Sequence, residues 1–358
     1  MNVILLLPKY EKTGPIKGGL ALAKLIYREV NLTIIFLKGK RKLNNFKDKN
    51  IKVYYLNKFK NPINKYFELK KLILNFNDKN LILISMCFSA DLFAFFLKNI
   101  VINISSIRGN LIKNYYYTYN WRGYFLAIFH YTIIRFFNKI LVMNIPMNRQ
   151  VKIFSSRNSN IIPNFIDEEK LSQYFIPNID HNSPLNFTFL GPLIERKNPL
   201  ILLKSIKDIN KELDARLHII GDGYLYKELQ ISIRQMNLEN KVYLHGFLDD
   251  PYKLLSKSDL LVIPSFSEGT SRAALEALYL GVPSIMRKVD GNDELIKDVY
   301  NNGKLFSSEK EITKLMLLEA KKSRSRKIRK NLLPDKYRSK NIKKLYLNIF
   351  KQITNNDL

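Results

Sequence analysis

Short apolar runs alternate with longer segments of helical periodicity along most of the chain. In the first half, runs at 2–7, 32–37, 52–56, 80–86, 100–105 and 139–144 read as strands. Helix-length segments at 17–30, 63–77 and 122–137 separate several of them. After IIPNFID (161–167) comes a polar, proline-bearing stretch, QYFIPNIDHNSPLN (173–186), which reads as a linker or domain entrance. The pattern then restarts with FTFLG (187–191), RLHIIGDG (216–223), KVYLHGF (241–247), LLVIPS (260–265) and PSIMRK (283–288). Helices are predicted between them over 199–212, 225–237 and 271–280. Strands alternating with helices predict parallel sheets covered on both faces. Two such series predict two Rossmann-like, doubly wound domains facing a central cleft, over 1–166 and 167–337, with a C-terminal helix over 338–358 that packs back on the first.

A length of 358 residues suits two domains. Cys87 is the single cysteine, so no internal disulfide can form and a reducing compartment is the simplest setting. The start, MNVILLLPKY, lacks the basic opening of a secretory signal, and Pro8 and Lys9 end its apolar run early. The most apolar long stretch, 124–142, is interrupted by His130, Arg135, Asn138 and Lys139. The expectation is a cytoplasmic protein, soluble or peripheral on the inner face of the cell membrane. Charge changes this picture: 59 Lys and Arg against 31 Asp and Glu give a net +28. Such a surface attracts nucleic acid, anionic lipid headgroups and phosphorylated substrates. Abundant Lys, Asn and Ile, as AT-rich coding would produce, is the compositional alternative.

Candidate chemistry sits in loops after strands. Gly18 and Gly19 read as a glycine pair just before a helix that carries Leu22, Leu25 and Ile26 on one side. No G-x-G-x-x-G occurs, which argues against a nicotinamide or flavin dinucleotide. Gly191 ends a strand, Arg196 and Lys197 follow in its loop, and Pro199 is expected to open a helix, so two cations sit where a diphosphate could bind. Asp222, in a Gly-Asp-Gly turn, is a candidate helix cap. In PSFSEGTSRAALEALYLGVPSI (264–285), Ser271 reads as an N-cap, Glu268 lies in the loop before it and Glu276 about one turn inside the helix. Two carboxylates flanking amide donors suit a polyhydroxylated ligand. No clustered Asp and His set suggests a metal.

The order G-x-L-x-x-x-K-N (Gly191 to Asn198), G-D-G, V-x-L-x-G-F and P-S-x-x-E-G-x-x-x-x-x-L-E-A-x-x-x-G-x-P resembles glycosyltransferase family 4, and GNDELIKDVYNNGKLF (291–306) extends the likeness. The resemblance implies an α/β protein of GT-B fold and a retaining transfer of sugar from a nucleotide-sugar donor, with UDP-sugar favoured and no metal or other cofactor bound. By position, Glu276 would hold the donor ribose hydroxyls, Glu268 would orient the hexose and Lys197 would neutralise the diphosphate. Gly269, Thr270 and Ser271 would face sugar and phosphate. Gly191, Gly221, His245, Gly246 and Phe247 would line the nucleotide pocket, and Gly19, with Gly18 beside it, would close over the phosphates. The family commonly has Arg where this chain has Pro192. A second diphosphate cation is therefore expected at Arg196 or at Arg108, which stands near a position where many members have His. Attack and departure on the same sugar face are implied, rather than a covalent intermediate on Glu268.

Bacterial members often extend surface polysaccharides on polyprenyl-diphosphate carriers, so a glycan or lipid-linked glycan acceptor is expected. The aromatic and basic run 111–131 would suit peripheral docking on anionic lipid, whereas 122–137 reads as a helix with its aromatics facing the core. Three rival readings remain: a basic nucleic-acid-binding protein, which has no recognisable binding motif to support it; a GT-B nucleotide-sugar epimerase; and a non-catalytic member, which Pro192 keeps open.

Overall fold

A computed structural model of the chain describes residues 1–10, 14–39, 51–57, 61–178, 181–326 and 328–355. Residues 179 and 180 of the linker and 356–358 of the tail lie outside the described residues. The chain divides into two compact units, one formed by Met1–Phe165 with Ser339–Leu358, the other by Ile166–Arg338.

The first unit opens with β1 (Asn2–Lys9), α1 (Gly14–Ile26), β2 (Asn31–Lys38), β3 (Lys52–Tyr55) and α2 (Pro62–Leu74). It continues with β4 (Ile82–Ser85), α3 (Phe88–Phe96), β5 (Ile102–Ser106), α4 (Leu111–Tyr119) and α5 (Arg122–Ile134). It then adds β6 (Lys139–Val142), α6 (Ile145–Ser155) and β7 (Asn160–Ile161). The second unit runs α7 (Glu168–Ser172), β8 (Leu185–Leu190), α8 (Ile201–Ile209), β9 (Ala215–Ile220), α9 (Tyr226–Gln235) and β10 (Val242–Gly246). After these come α10 (Tyr252–Leu255), β11 (Leu260–Ile263), α11 (Arg272–Tyr279), β12 (Ser284–Arg287) and α12 (Asn292–Leu295). β13 (Gly303–Phe306) and α13 (Ile312–Arg324) complete it, and α14 (Ser339–Asn355) returns to the first unit.

Every strand pair is parallel, in the orders β3-β2-β1-β4-β5-β6-β7 and β10-β9-β8-β11-β12-β13. The central strands are apolar at nearly every position because helices cover both faces. Thus Val3, Leu5 and Leu7 of β1 face one core with α1 and α14, and Ile4 and Leu6 face the other with α2, α3 and α5. Helix starts follow local chemistry. The Asn61, Asn110 and Asn144 side chains accept from the amides of Ile63, Lys113 and Met147, and proline follows Asn61 directly and Asn144 two residues on.

Four expectations need correction. Gly18 and Gly19 do not precede α1 but lie inside it, because Pro15 sits at a favoured first-turn position and the helix starts at Gly14. Their amides therefore have intrahelical acceptors, and their missing side chains serve packing. A Cβ on Gly19 would stand 3.0 Å from Leu7 Cδ2, and one on Gly18 2.8 Å from Arg108 Nη2. Pro199 does not open α8, which begins two residues later at Ile201. Asp222 does not cap α9; its carboxylate accepts from the next amide, Gly223, at 2.7 Å, and α9 starts further on. Finally, of the Phe and Tyr side chains of α5 only Tyr131 joins the core, while Tyr124, Phe125 and Phe129 face outward. The inner stripe of the helix is Gly123, Ala127, His130, Tyr131, Ile133 and Ile134, and that spacing turns Tyr124, Phe125, Ile128 and Phe129 to the surface.

α14 contributes Ile342, Tyr346, Ile349 and Phe350 to the core of the first unit. Tyr346→Ala should destabilise that unit by about 3–5 kcal/mol. Segment-resolved hydrogen exchange should show faster exchange in β1, β2 and α1, with β8–β12 unchanged.

Candidate active site

In each sheet the strand order reverses once, between β1 and β4 and between β8 and β11. Ligands of open parallel sheets sit beyond the strand ends at such reversals. In the second unit this directs attention to the segments after β8 and β11.

Those two segments are fastened together. The Arg196 carbonyl accepts from the Phe266 amide at 2.9 Å, and its Nη1 donates to the Ser267 carbonyl at 2.6 Å. One residue on, Lys197 Nζ donates to Glu268 Oε1 at 2.5 Å, with both side chains largely buried. Lys197 closes a 3-10 turn over Glu195–Lys197, and Asn198 follows with φ 50°, a left-handed conformation that asparagine tolerates. Burial lowers the Lys197 pKa, Glu268 pulls it only part of the way back and Arg196 lowers it further, so it lies below its ordinary value. For Glu268, burial pushes upward but the cations of Lys197 and Arg196 prevail, leaving the carboxyl below its ordinary value. The contact favours the charged form of each partner, and Arg196 reinforces the carboxylate while opposing the charge on Lys197. Behind it, the Glu268 amide donates to Asp290 Oδ2 at 2.9 Å. Arg287 donates to the Pro264 carbonyl at 3.1 Å and lies 4.6 Å from the centre of the Phe266 ring.

Ser271 caps α11, its hydroxyl accepting from the Ala274 amide at 3.4 Å, so this helix starts at the loop of Glu268, Gly269 and Thr270. Inside α11, Glu276 is buried and accepts from the Tyr252 hydroxyl at 3.3 Å. Burial, with the Glu276 charge adding to it, pushes the Tyr252 phenol well above its ordinary value and keeps it a donor. At the first residue of α11, Arg272 has Nε and Nη2 buried without a hydrogen-bond partner, as is Ser267 Oγ in the loop. Buried donors are normally satisfied, and these lie beside the loop that follows β11.

The neighbouring loops are knitted backbone to backbone. Gly191 N donates to Ile220 O at 3.0 Å, Leu193 N to Asp222 O at 2.9 Å and Gly221 N to Gly246 O at 2.8 Å. Gly221 has φ +150°, and any Cβ there would collide with the Gly191 carbonyl. His245 turns its ring to His218, at 3.0 Å, and burial lowers both imidazoles, His218 to about 4, so the pair is neutral at physiological pH. Phe247 is exposed. In the first unit, Arg108 donates to Asn164 Oδ1 at 2.7 Å beneath Gly18. Among the described residues no three His, Cys, Asp or Glu side chains gather as a metal site.

Residues 174–332 match the family described as "Glycosyl transferases group 1". This segment belongs to that family. Over 154 residues the chain is 34% identical to an Escherichia coli protein named UDP-Gal:alpha-D-GlcNAc-diphosphoundecaprenol alpha-1,3-galactosyltransferase, covering 40% of each. Over 161 residues it is 30% identical to the Campylobacter jejuni N-acetylgalactosamine-N,N'-diacetylbacillosaminyl-diphospho-undecaprenol 4-alpha-N-acetylgalactosaminyltransferase, covering 42% of this chain and 43% of that protein. The chain thus aligns with less than half of either relative's length. Its fold resembles Anabaena HepE, solved with UDP and glucose, at a TM-score of 0.76 and 16% identity over 98% of this chain and 99% of that one. It also resembles the lipopolysaccharide outer core galactosyltransferase WaaB, at a TM-score of 0.73 and 15% identity over 98% and 100%. The fold is GT-B, with two Rossmann-like parallel-sheet domains.

The sequence reading did not single out Arg272, Tyr252, Asp290 or Arg287. Only Arg272 carried a signal, as a cation next to the N-cap of a helix that follows a strand-end loop.

Lys197→Met strands a buried carboxylate and should cost about 3–5 kcal/mol near neutrality. The depressed Glu268 value means its pairing contribution is complete above the unfolded carboxylate pKa of about 4.3 and is lost as pH falls through the folded value. The stability gap between wild type and K197M in urea titrations should therefore narrow on acidification. A gap that holds steady down to about pH 3 would show that Glu268 is not the partner that matters.

Proposed function

We propose that this protein transfers a sugar from a nucleoside-diphosphate sugar, UDP-sugar favoured, to a polyprenyl-diphosphate-linked glycan during surface-polysaccharide assembly. The observation that carries this reading is the buried Lys197–Glu268 pair at the β8/β11 reversal beside the unpartnered donors of Arg272. A diphosphate leaving group gains negative charge as the glycosidic bond breaks. Lys197, Arg196 and the amides at the start of α11 supply fixed positive charge for it. Arg196 already donates to Ser267, which leaves Arg272 as the stronger second cation in a chain that has Pro192 in place of the family's usual Arg. Glu276 accepts from the ribose hydroxyls, with Tyr252 orienting it. Glu268, held by Lys197, accepts from a hexose hydroxyl and orients the ring. Gly269, Thr270 and Ser271 line sugar and phosphate, while Gly191, Gly221 and the backbone of His245, Gly246 and Phe247 line the nucleoside.

The transfer retains anomeric configuration, the acceptor hydroxyl entering on the face the diphosphate leaves, because Glu268 and Glu276 are both committed to binding. Charge stabilisation by side chains and helix amides makes the reaction metal-independent. The relatives named for diphosphoundecaprenol-linked glycans support the acceptor class, and a lipid-linked acceptor implies a peripheral location on the inner membrane face.

With EDTA present, UDP at 100 times its dissociation constant should stabilise the protein by about 2.7 kcal/mol in thermal unfolding, and GDP, ADP and CMP should do less. Glu276→Ala should abolish the shift, and Arg272→Ala should weaken UDP binding about ten-fold without lowering the unliganded melting temperature. Stabilisation by none of the four nucleotides would overturn the donor assignment. Incubation of a UDP-sugar panel with a synthetic polyprenyl-diphosphate glycan, read by mass spectrometry and anomeric NMR couplings, tests transfer and stereochemistry.

A further inference from the structure

One surface of the first unit has no part in the chemistry above. α4 has no fully buried residue, and α5 turns Tyr124, Phe125, Ile128 and Phe129 outward. Trp121, at the turn between them, is 63% exposed, Phe125 66% and Phe129 51%. The exposed rings meet in pairs on neighbouring turns: Trp121 meets Phe125 at 6.0 Å between centroids and Tyr116 meets Tyr124 at 5.5 Å. A second exposed group adjoins the C-terminal ends of α3 and α5, where Phe95 lies 5.4 Å from Phe96 and 5.6 Å from Phe136. Contiguous apolar exposure on this scale marks an interaction site.

Charge identifies the occupant. Between Asp91 and Asp167 the chain carries no Asp or Glu, but nine Lys or Arg. Several of these cations sit among the rings: Lys98 Nζ is 4.8 Å from the centre of Phe136, the Arg122 guanidinium is 5.5 Å from Trp121, and Arg135 is exposed one residue before Phe136. The acid that precedes the stretch, Asp91, is buried and turned inward, where it receives Ser85 and Ser105 hydroxyls and contacts His130 Nε2 at 2.8 Å. His130 Nδ1 in turn meets the Tyr115 hydroxyl at 3.0 Å, which bolts α4 to the body of the unit and fixes the presented face.

We infer that this α4–α5 face is a docking surface for an anionic lipid bilayer. Aromatic and aliphatic side chains enter the headgroup–acyl boundary, and the interspersed Lys and Arg extend to lipid phosphates. A second copy of the chain would bring the same acid-free, cationic surface against itself, and like charges oppose that pairing. Nucleic acid matches the charge but gives Phe125, Ile128 and Phe129 little apolar environment. This deepens the peripheral location proposed above without relying on the catalytic reading, since UDP-induced stabilisation of each variant reports on the donor site separately.

Trp121 is the only tryptophan, so its emission reads this face directly. Full-length protein is titrated with vesicles of equal parts phosphatidylcholine and phosphatidylglycerol, and with pure phosphatidylcholine. Expected are a blue shift and co-sedimentation with the anionic vesicles only, weakened by added salt. F125S/F129S should cut partitioning about ten-fold or more, R122E/R135E should also reduce it, and Ile231→Ser, an exposed apolar position in the second unit, should leave it unchanged. Unaltered Trp121 emission with anionic vesicles, or equal binding by F125S/F129S, overturns the inference. So does an emission shift produced by a DNA oligomer or by self-association at high concentration while vesicles produce none.

Discussion

Two strand ends that are far apart in sequence are joined by one buried ion pair, and the geometry of the candidate site depends on it. Lys197 and Glu268 are 71 residues apart, yet β8 and β11 are neighbours at the point where the sheet reverses direction. Burial alone would push both groups toward neutrality, and each favours the charged form of the other. Arg196 adds a main-chain and a side-chain contact to the same loop, so the carboxylate, the ammonium and the start of α11 are held in a single arrangement. A site that must meet a developing anion benefits from charges already in place, because little has to reorganise when the bond breaks.

The same topology is put to different use in the two units. In the second, the reversal gathers buried charge and leaves donors on Arg272 and Ser267 without protein partners. In the first, the polar groups near the corresponding strands satisfy one another: Asp91 with Ser85, Ser105 and His130, and Arg108 with Asn164. What the first unit leaves unsatisfied is apolar and lies on its outside, along α4 and α5.

The architecture was readable because parallel strands covered on both faces are nearly continuous apolar runs; NVILLL, ILIS and LLVI could be little else. The loop and helix around Glu268 and Glu276 were readable from Ser271, whose capping role is local. Failures came where local rules conflicted with context. The Gly18–Gly19 pair looked like a helix start because glycine usually marks a break, but here two missing side chains admit Leu7 and Arg108 against a continuing helix. β13, GKLF, is too short and too polar at Lys304 to announce itself as a strand. The aromatics of α5 were assigned to the core on composition, whereas Gly123 and Ala127 occupy the inner stripe. Arg272 was passed over because two buried donors without hydrogen-bond partners become visible only once their surroundings are known.

The return of α14 to the first unit governs how the molecule can be assembled. Residues 166–338 form a contiguous unit that can close on itself once they have been synthesised. The first unit is discontinuous: its core holds a gap until Ile342, Tyr346 and Phe350 arrive. During translation the part that begins first therefore finishes last, and its incomplete hydrophobic face stays open to chaperones, or to premature sticking, while the whole second unit is being made.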